Sequence, residues 1–318
     1  MKKLKNKKII ITGGTGFLGS NLSRLLNKNK IKHKCFNSKD YDLRNQKEVD
    51  RMFSLHKPDY VFHLAAKVGG IKDNKDFKAD FYYNNILIDA NIFKASSKYK
   101  IKKLITTAAG CGYPVKMSTN LKENKIWDGY PHDASAPFSL AKKMQIIQSS
   151  AYKSQYKLNS IVLIPSNAFG EYDNFNLQQS HVIPALIRKF SEAVKFNKKK
   201  VFVWGSKEVY RDFIHISDIA EGLLIAALNY NQVLPLNLCT GKKTSIGQIV
   251  DILKSVSGFK GKVCWEKNKP KGQNVRTMSN SNQKKLLPQW KPKKSLKDGL
   301  KQTYNWFNES YESKYLRL

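Results

Sequence analysis

The chain has 318 residues, 41% of them hydrophobic, with 57 Lys plus Arg against 24 Asp plus Glu and a formal charge of +33 at pH 7. That apolar share is enough for the full core of one large or two joined domains; no run of about twenty apolar residues is present to span a bilayer, and MKKLKNKK leads into a short strand rather than a signal-peptide core, so a cytoplasmic protein without a membrane partner is expected. Cys35, Cys111, Cys239 and Cys264 stand far apart with no CxxC pair, which argues against a zinc knot or a disulfide framework, and the scattered lysines lack the arginine and aromatic interleaving of a nucleic-acid groove, leaving a phosphate-bearing small molecule as the anionic partner.

Strand-like and helix-like segments alternate from the N-terminus: KKIIITGG, GFLGSNLSRLLNKN, IKHKCFN, NQKEVDRMFSLHK, DYVFHLAA, NNILIDANIFKASSKY, KKLITTAA, FSLAKKMQIIQSSAYKSQY and NSIVLIPSN. This rhythm predicts an α/β fold built on a doubly wound parallel sheet of the Rossmann type. In FSLAKKMQIIQSSAY, the apolar Leu140, Met144, Ile147 and Tyr152 predict a helix with a buried stripe. After Gly170 the rhythm breaks into a long loop, a helix around VIPALIRKF, a strand VFVWG, a helix SDIAEGLLIAALN and a strand PLNLCT. From SIGQIVDILKSVSG onward the pattern is helical, with no new sheet signal. Residues 1–168 and 211–240 are therefore expected to form the nucleotide-binding domain. Residues 169–210 and 241–318 form a smaller substrate-binding region over the C-terminal edge of the sheet, where ligands bind in such folds.

ITGGTGFLGSNLSRLL places Gly13, Gly16 and Gly19 between a strand and a helix, the arrangement that lets a backbone turn tightly and approach a pyrophosphate at a helix N-terminus. Where an acidic residue at the end of the second strand would bind the ribose hydroxyls of NAD, CFNSKDYD has Asn37, Ser38 and Lys39, which favours NADP(H). The alternative is that Lys39 is one more surface lysine and that NAD is bound. Asp42 is placed near the adenine.

Several stretches together resemble the extended short-chain dehydrogenase/reductases, and among them the GDP-fucose synthase branch of GDP-4-keto-6-deoxy-mannose epimerase/reductases. They are TGGTGFLG (12–19), HLAAKVGGI (63–71), YNNILIDANIF (83–93), CGYP (111–114), NAFG (167–170), QSHVIPALIRKF (179–190), VWGS (203–206) and RDFIHISDIA (211–220). The resemblance implies that a 4-keto nucleotide sugar is epimerised at the two carbons flanking the ketone, C3 and C5, and then reduced at C4 by NADPH. It implies Cys111 and His181 as the proton-transfer pair, because a carbon beside a carbonyl is epimerised by a base on one face and an acid on the other. It also implies cofactor contacts at Phe17, Leu18, Leu64, Ala65, Ala66, Lys142 and Asn167, and substrate contacts at Asn167, Trp204 and Arg211, the last on the diphosphate. Arg188 and Lys189 are read either as reaching the guanosine or its phosphates or as a solvated basic helix face. A homodimer is implied as well, through the helices bordering the site.

The chain departs from that pattern where reduction needs it most. Hydride transfer to a ketone leaves an alkoxide, which the family protonates from a tyrosine four residues before a lysine, aided by a serine. Here Lys142 is kept, but Phe138 stands at the tyrosine position and Ala109 at the serine position. Losing a general acid costs about 10²–10⁴-fold. Thr107, Ser139, Tyr113, His132 or a water are the substitute donors to consider. The expectation is therefore an enzyme that epimerises a GDP-4-keto-6-deoxy-hexose or GDP-4-keto-heptose at C3, C5 or both, with weak or absent C4 reduction. A complete epimerase/reductase with a substitute donor and an inactive nucleotide-sugar-binding homologue are the alternatives.

Overall fold

In the computed structural model, which describes residues 2–266, 273–313 and 316–318, the run IIIT forms β1 (Ile9–Thr12), buried at all four positions. A strand that is apolar on both faces needs cover on both, and a parallel sheet with helices on each side supplies it. Along the chain follow β2 (Lys34–Phe36), β3 (Tyr60–His63), β4 (Lys103–Thr107), β5 (Ser160–Pro165), β6 (Asn167–Phe169), β7 (Lys200–Trp204), β8 (Tyr210–Arg211), β9 (Phe213–His215) and β10 (Leu236–Leu238). Six of these make the main sheet in the order β10-β5-β4-β3-β1-β2, every neighbouring pair parallel. The order reverses between β1 and β3, and a crevice at the C-terminal ends of those strands is where such a sheet receives a nucleotide.

The helices are α1 (Phe17–Lys28), α2 (Gln46–His56), α3 (Ile71–Asp76), α4 (Lys78–Lys98), α5 (Ala136–Tyr156), α6 (Val182–Lys195), α7 (Ile216–Asn229), α8 (Ile246–Ser257), α9 (Ser281–Leu286) and α10 (Leu296–Glu309). Strand alternation sends Ile9 and Ile11 to one face, against Leu22 and Leu26 of α1 and Leu223 and Leu224 of α7. Ile10 points to the other, against Val49 and Phe53 of α2 and Ile92 and Phe93 of α4. A separate core joins Ile187 and Phe190 of α6 to Ile249 and Leu253 of α8 and Phe307 of α10.

Two expectations are corrected. The last stretch does carry sheet: β11 (Thr244–Ser245), β12 (Lys262–Glu266) and β13 (Val275–Arg276). β12 pairs in parallel with β7, and β8 lies between β11 and β13. Two-residue strands and the half-covered KVCWE show no alternation to read; their partners template them. The second correction concerns α5, whose buried face is Ala141, Lys142, Gln145, Ile146 and Ser149. Tyr152 packs against Phe93 of the core at a centroid distance of 5.8 Å, but Leu140 and Met144 are only half-buried and Ile147 is 51% exposed, so the stripe is turned to the core only in part. The inward face carries Lys142 to the site, and that requirement outranks apolar periodicity.

Lys103, buried at the start of β4, donates from its ammonium to the carbonyls of Ala226 (3.2 Å), Ala227 (2.8 Å) and Tyr230, and to Asn231 Oδ1 (2.9 Å). The last carbonyls of a helix have no partner within the helix, and a cation there also meets the negative end of its dipole. Lys103→Met is expected to lower stability by about 3 kcal/mol, read in urea denaturation, because it strands several buried acceptors at once. A variant with unchanged midpoint would show the cage to be ornamental.

Candidate active site

At the cofactor end, Gly13 has φ +69° and a Cβ there would lie 2.7 Å from the backbone nitrogen of Ala65, while one at Gly19 would lie 2.2 Å from Gly13 O. Only glycine lets the β1–α1 turn cross the end of β3 this closely. α1 starts after Gly16 with no side-chain cap and no acidic residue in its first turn, so its first N–H groups are open to an anion. Phe17 and Leu18 pack their half-buried side chains against the core, as does Leu64; Ala65 and Ala66 are half-buried beside the turn. Ser38 and Lys39 are exposed just past β2, in a turn closed by Asn37 N–H to Asp40 Oδ2 and Lys39 N–H to Asn37 Oδ1, both 2.8 Å. Asp42 is taken up by Arg44, whose Nη2 stands 2.8 Å away and whose hydrogen bonds hold the carboxyl below its usual range, while Arg44 Nη1 reaches Asn84 Oδ1 at 3.0 Å. Asp42 is thus committed to tying the β2 loop to α4. The uncapped helix start and the close glycine crossing fit a dinucleotide, which would supply or accept hydride at a ketone or alcohol carbon when bound.

A buried chain of four side chains lies at the site, of which sequence reasoning picks out Lys142 alone. Thr12 Oγ1 meets His63 Nδ1 at 2.7 Å, His63 Nε2 meets Asp89 Oδ1 at 2.9 Å, and Lys142 Nζ donates to both Asp89 oxygens at 3.2 and 3.3 Å. The Asp89 carboxyl stays below the usual range because the ammonium and the imidazole outweigh its burial, and burial lowers His63. The signal was present in NNILIDANIF, where one carboxylate sits among apolar residues of a helix. Lys142 therefore faces inward onto a fixed anion, and Phe138, one turn earlier, sets its half-buried ring edge-on to Phe81 with centroids 6.1 Å apart.

Cys111 lies in a single turn (Gly110–Gly112) between β4 and α5. Burial pushes its thiol up, while a hydrogen bond from Ser139 and the charge of Arg276 pull it partly back. His181 stands immediately before α6 with extended backbone and no cap made by its side chain, so the ring is not spent on the helix. It is open to solvent, yet the protein mass around it lowers its pKa, leaving a neutral imidazole at pH 7. Close packing joins the motifs: a Cβ at Gly70 would be 3.0 Å from Gln179 O, and one at Gly69 would be 2.9 Å from the Phe81 ring that meets Phe138. KVGGI, PFSLAKK and QSH thus line one region, and Ser139 links Cys111 to it.

Of the substitute donors, Tyr113 is buried and donates to Asn237 Oδ1 at 2.7 Å, with its phenol pushed far up by burial. Ser139 is engaged with Cys111 and lies 3.4 Å from Ser135 Oγ. His132 is exposed and its ring accepts from Ala134 N–H at 3.3 Å. Thr107 is half-buried at the end of β4, two residues before Ala109.

Two arginines face each other across β8 and β13, where Arg211 is in register with Arg276. Burial and the neighbouring guanidinium lower Arg211 to about 10, and no carboxylate pairs with it among the described residues. An unneutralised cation pair is a ready anion site. Asn167 is exposed, its amide fixed by Asp212 O at 2.9 Å. Arg188, by contrast, is bound to Glu192 Oε1 (2.7 Å) and Phe175 O (3.2 Å) within its own lobe. Lys189 donates to Phe202 O at 2.9 Å, with its ammonium 5.2 Å from the centre of the half-exposed Trp204 ring. Among the described residues no helix is long and apolar enough to cross a membrane, and no group of three or more His, Cys, Asp or Glu could hold a metal.

Residues 9–239 match the NAD dependent epimerase/dehydratase family. The chain is 34% identical over 311 residues, covering 98% of it and 94% of the relative, to a putative GDP-L-fucose synthase 2 of Arabidopsis thaliana. Its fold superposes with a TM-score of 0.91, at 32% identity and covering 99% of this chain and 96% of the other, on a GDP-L-fucose synthetase from Naegleria fowleri bound to NADP. It also resembles a GDP-mannoheptose C4 reductase from Campylobacter jejuni with NADP bound, with a TM-score of 0.86 and 29% identity, covering 96% of this chain and 99% of that one. With the glycine crossing at the sheet's switch point and the match running along nearly its whole length, the chain belongs to the NAD dependent epimerase/dehydratase family and is GDP-fucose synthase-like within it.

Proposed function

We propose that the protein epimerises a GDP-linked 4-keto sugar, a 6-deoxy-hexose or a heptose, at C3, C5 or both, holds NADP(H), and reduces C4 weakly or not at all. One observation supports this reading: at the positions to which the family resemblance assigns the C4 donors, Phe138 sets a ring without a hydroxyl against Phe81 and Ala109 carries none, while a cysteine and a histidine stand at 111 and 181. In the resting site His181 is neutral and Cys111 keeps its proton. The imidazole takes the C–H proton, the bond pair moves onto the C4 oxygen as an enolate, and the thiol returns a proton to the opposite face. A second epimerisation with the roles exchanged, or exchange with water, resets both groups. At the C4 oxygen, Phe138 and Ala109 offer no hydroxyl, and Lys142 is held by Asp89. Arg211 is the grip for the diphosphate, and the guanine is supported by the GDP-sugar names of the relatives.

The test is NMR of a GDP-4-keto-6-deoxy-mannose sample in D₂O with enzyme and NADPH, following C3–H and C5–H together with NADPH absorbance. Exchange without NADPH oxidation is expected. Oxidation at a rate matching exchange would favour the complete epimerase/reductase, for which the reductase among the structural neighbours and the half-buried Thr107 at the end of β4 speak. Unchanged sugar with tight binding in calorimetry would point to an inactive homologue.

The half-exposed stripe on α5, with Ile147 51% exposed beside α4, is the face a second copy would cover in a homodimer. Sedimentation is expected to give twice the chain mass, and Ile147→Lys to shift it to the monomer; a monomeric wild type would defeat this assignment.

A further inference from the structure

We propose that Arg276 is a positioning residue for Cys111, its guanidinium bracketing the turn that carries the thiol and fastening that turn to the strand that holds Arg211. The turn is weakly self-supporting: beyond Gly112 N–H to Ala109 O at 2.9 Å, its closing bond, Tyr113 N–H to Gly110 O, is 3.5 Å long. Arg276 supplies what is lacking. Its Nη2 donates to Gly110 O (3.3 Å) and Tyr113 O (2.7 Å), the carbonyls on either side of Cys111, and its Nη1 to Pro114 O (3.3 Å), Met117 O (3.3 Å) and Gln273 Oε1 (2.8 Å). A planar fork with fixed donor directions holds several acceptors in one arrangement, which a flexible ammonium cannot do.

These contacts separate the roles of the two arginines. Arg276 has both terminal nitrogens committed to protein acceptors, whereas among the described residues Arg211 donates from Nη1 to Tyr210 O at 2.7 Å alone, leaving the rest of its fork for a ligand. Because the two are in register on β8 and β13 and the charge of Arg276 lowers Arg211, an anion on Arg211 offsets their repulsion. The groups acting on the Cys111 sulfur are Ser139 from α5 and Arg276 from β13; Tyr113 of the same turn is held by Asn237, and no carboxylate acts on the thiol among the described residues. Among the described residues, Arg276 is thus the one charge that favours the thiolate.

The effect on turnover rests on the proposed role of Cys111; the effect on the thiol does not. The experiment is alkylation of Cys111 by iodoacetamide as a function of pH, resolved by site with peptide mass spectrometry, with Cys35 and Cys264 as internal references. Arg276→Gln is expected to move the Cys111 midpoint up by about one pH unit and leave the references unmoved. Arg276→Lys is expected to restore most of that shift but to lose about tenfold in the kcat for exchange, with KM little changed, since charge is kept and the fork is lost. Binding of GDP, measured by calorimetry, is expected to change less than about threefold in either variant. An unmoved Cys111 midpoint in folded Arg276→Gln overturns the proposal, as does a large loss of GDP affinity with an unmoved midpoint, which would make Arg276 a ligand grip. If Arg276→Gln does not fold, a wild-type exchange rate in Arg276→Lys overturns it. Should the wild type exchange no deuterium at all, the function reading fails while the alkylation midpoints still decide this one.

Discussion

Replacing Cys111 by Ala, or His181 by Gln, is expected to slow deuterium entry into a GDP-4-keto sugar by about 10²–10⁴-fold, the usual loss for a general acid or base, with GDP affinity unchanged. Each group acts only on a C–H bond in these steps, so kcat falls while ground-state binding stays. The pH profile follows from the directions of the two shifts. Desolvation by the protein mass around it lowers His181, so the neutral base persists below the ordinary histidine range and activity falls only as pH drops through that lowered value. Burial raises Cys111, so the thiol stays protonated past the ordinary thiol range and the plateau extends to alkaline pH. In stability terms the sign for His181 is the reverse of a salt-bridged histidine: a folded pKa below the unfolded one favours the fold above both values and loses that contribution as pH falls through them. Deuterium exchange rates from about pH 5 to 10 check the profile; a Cys111→Ala enzyme that exchanges at the wild-type rate would remove the thiol from the mechanism.

The double change Phe138→Tyr with Ala109→Ser is expected to raise NADPH oxidation with the same substrate by about 10²-fold or more, while leaving deuterium exchange within a few-fold. Phe138 and Lys142 are four residues apart on one helix, so a hydroxyl on that ring would lie on the face that carries the ammonium. The ring already has its place against Phe81, and the added oxygen needs no new backbone position. Serine at 109 would add a second donor from the end of β4. The single changes should each give less than their product predicts, because two donors to one oxygen are coupled. NADPH absorbance and product stereochemistry are the readouts. If the double variant stays inert in reduction, the inward commitment of Lys142 to Asp89, at 3.2 Å, becomes the block, and Asp89→Asn in that background is the next change to make.

The alternating apolar runs before Gly170 determined a parallel sheet without help from tertiary structure, because III (9–11) and IVLIP (161–165) are apolar at every position and only a doubly covered strand tolerates that. The glycine turn was equally legible, since Gly13 and Gly19 stand where any Cβ would strike backbone. Through its family resemblance the sequence also singled out Cys111, His181, Phe138 and Ala109, whose roles rest on the experiments above. It misread α5 in part: Tyr152 packs on the core, but Ile147 is 51% exposed, because the helix turns Lys142, Gln145 and Ser149 inward beside Ala141 and Ile146. It could not show the chain Thr12–His63–Asp89–Lys142, whose members come from β1, β3, α4 and α5 and meet only once the sheet has brought those elements together. Nor could it show β12 and β13, which owe their extended form to pairing with β7 and β8, or the bracket around the Cys111 turn, in which Arg276 donates to Gly110 and Tyr113, 166 and 163 residues away in sequence. Local patterns record what each segment buries; which charges end up facing one another is decided by how the buried faces are stacked.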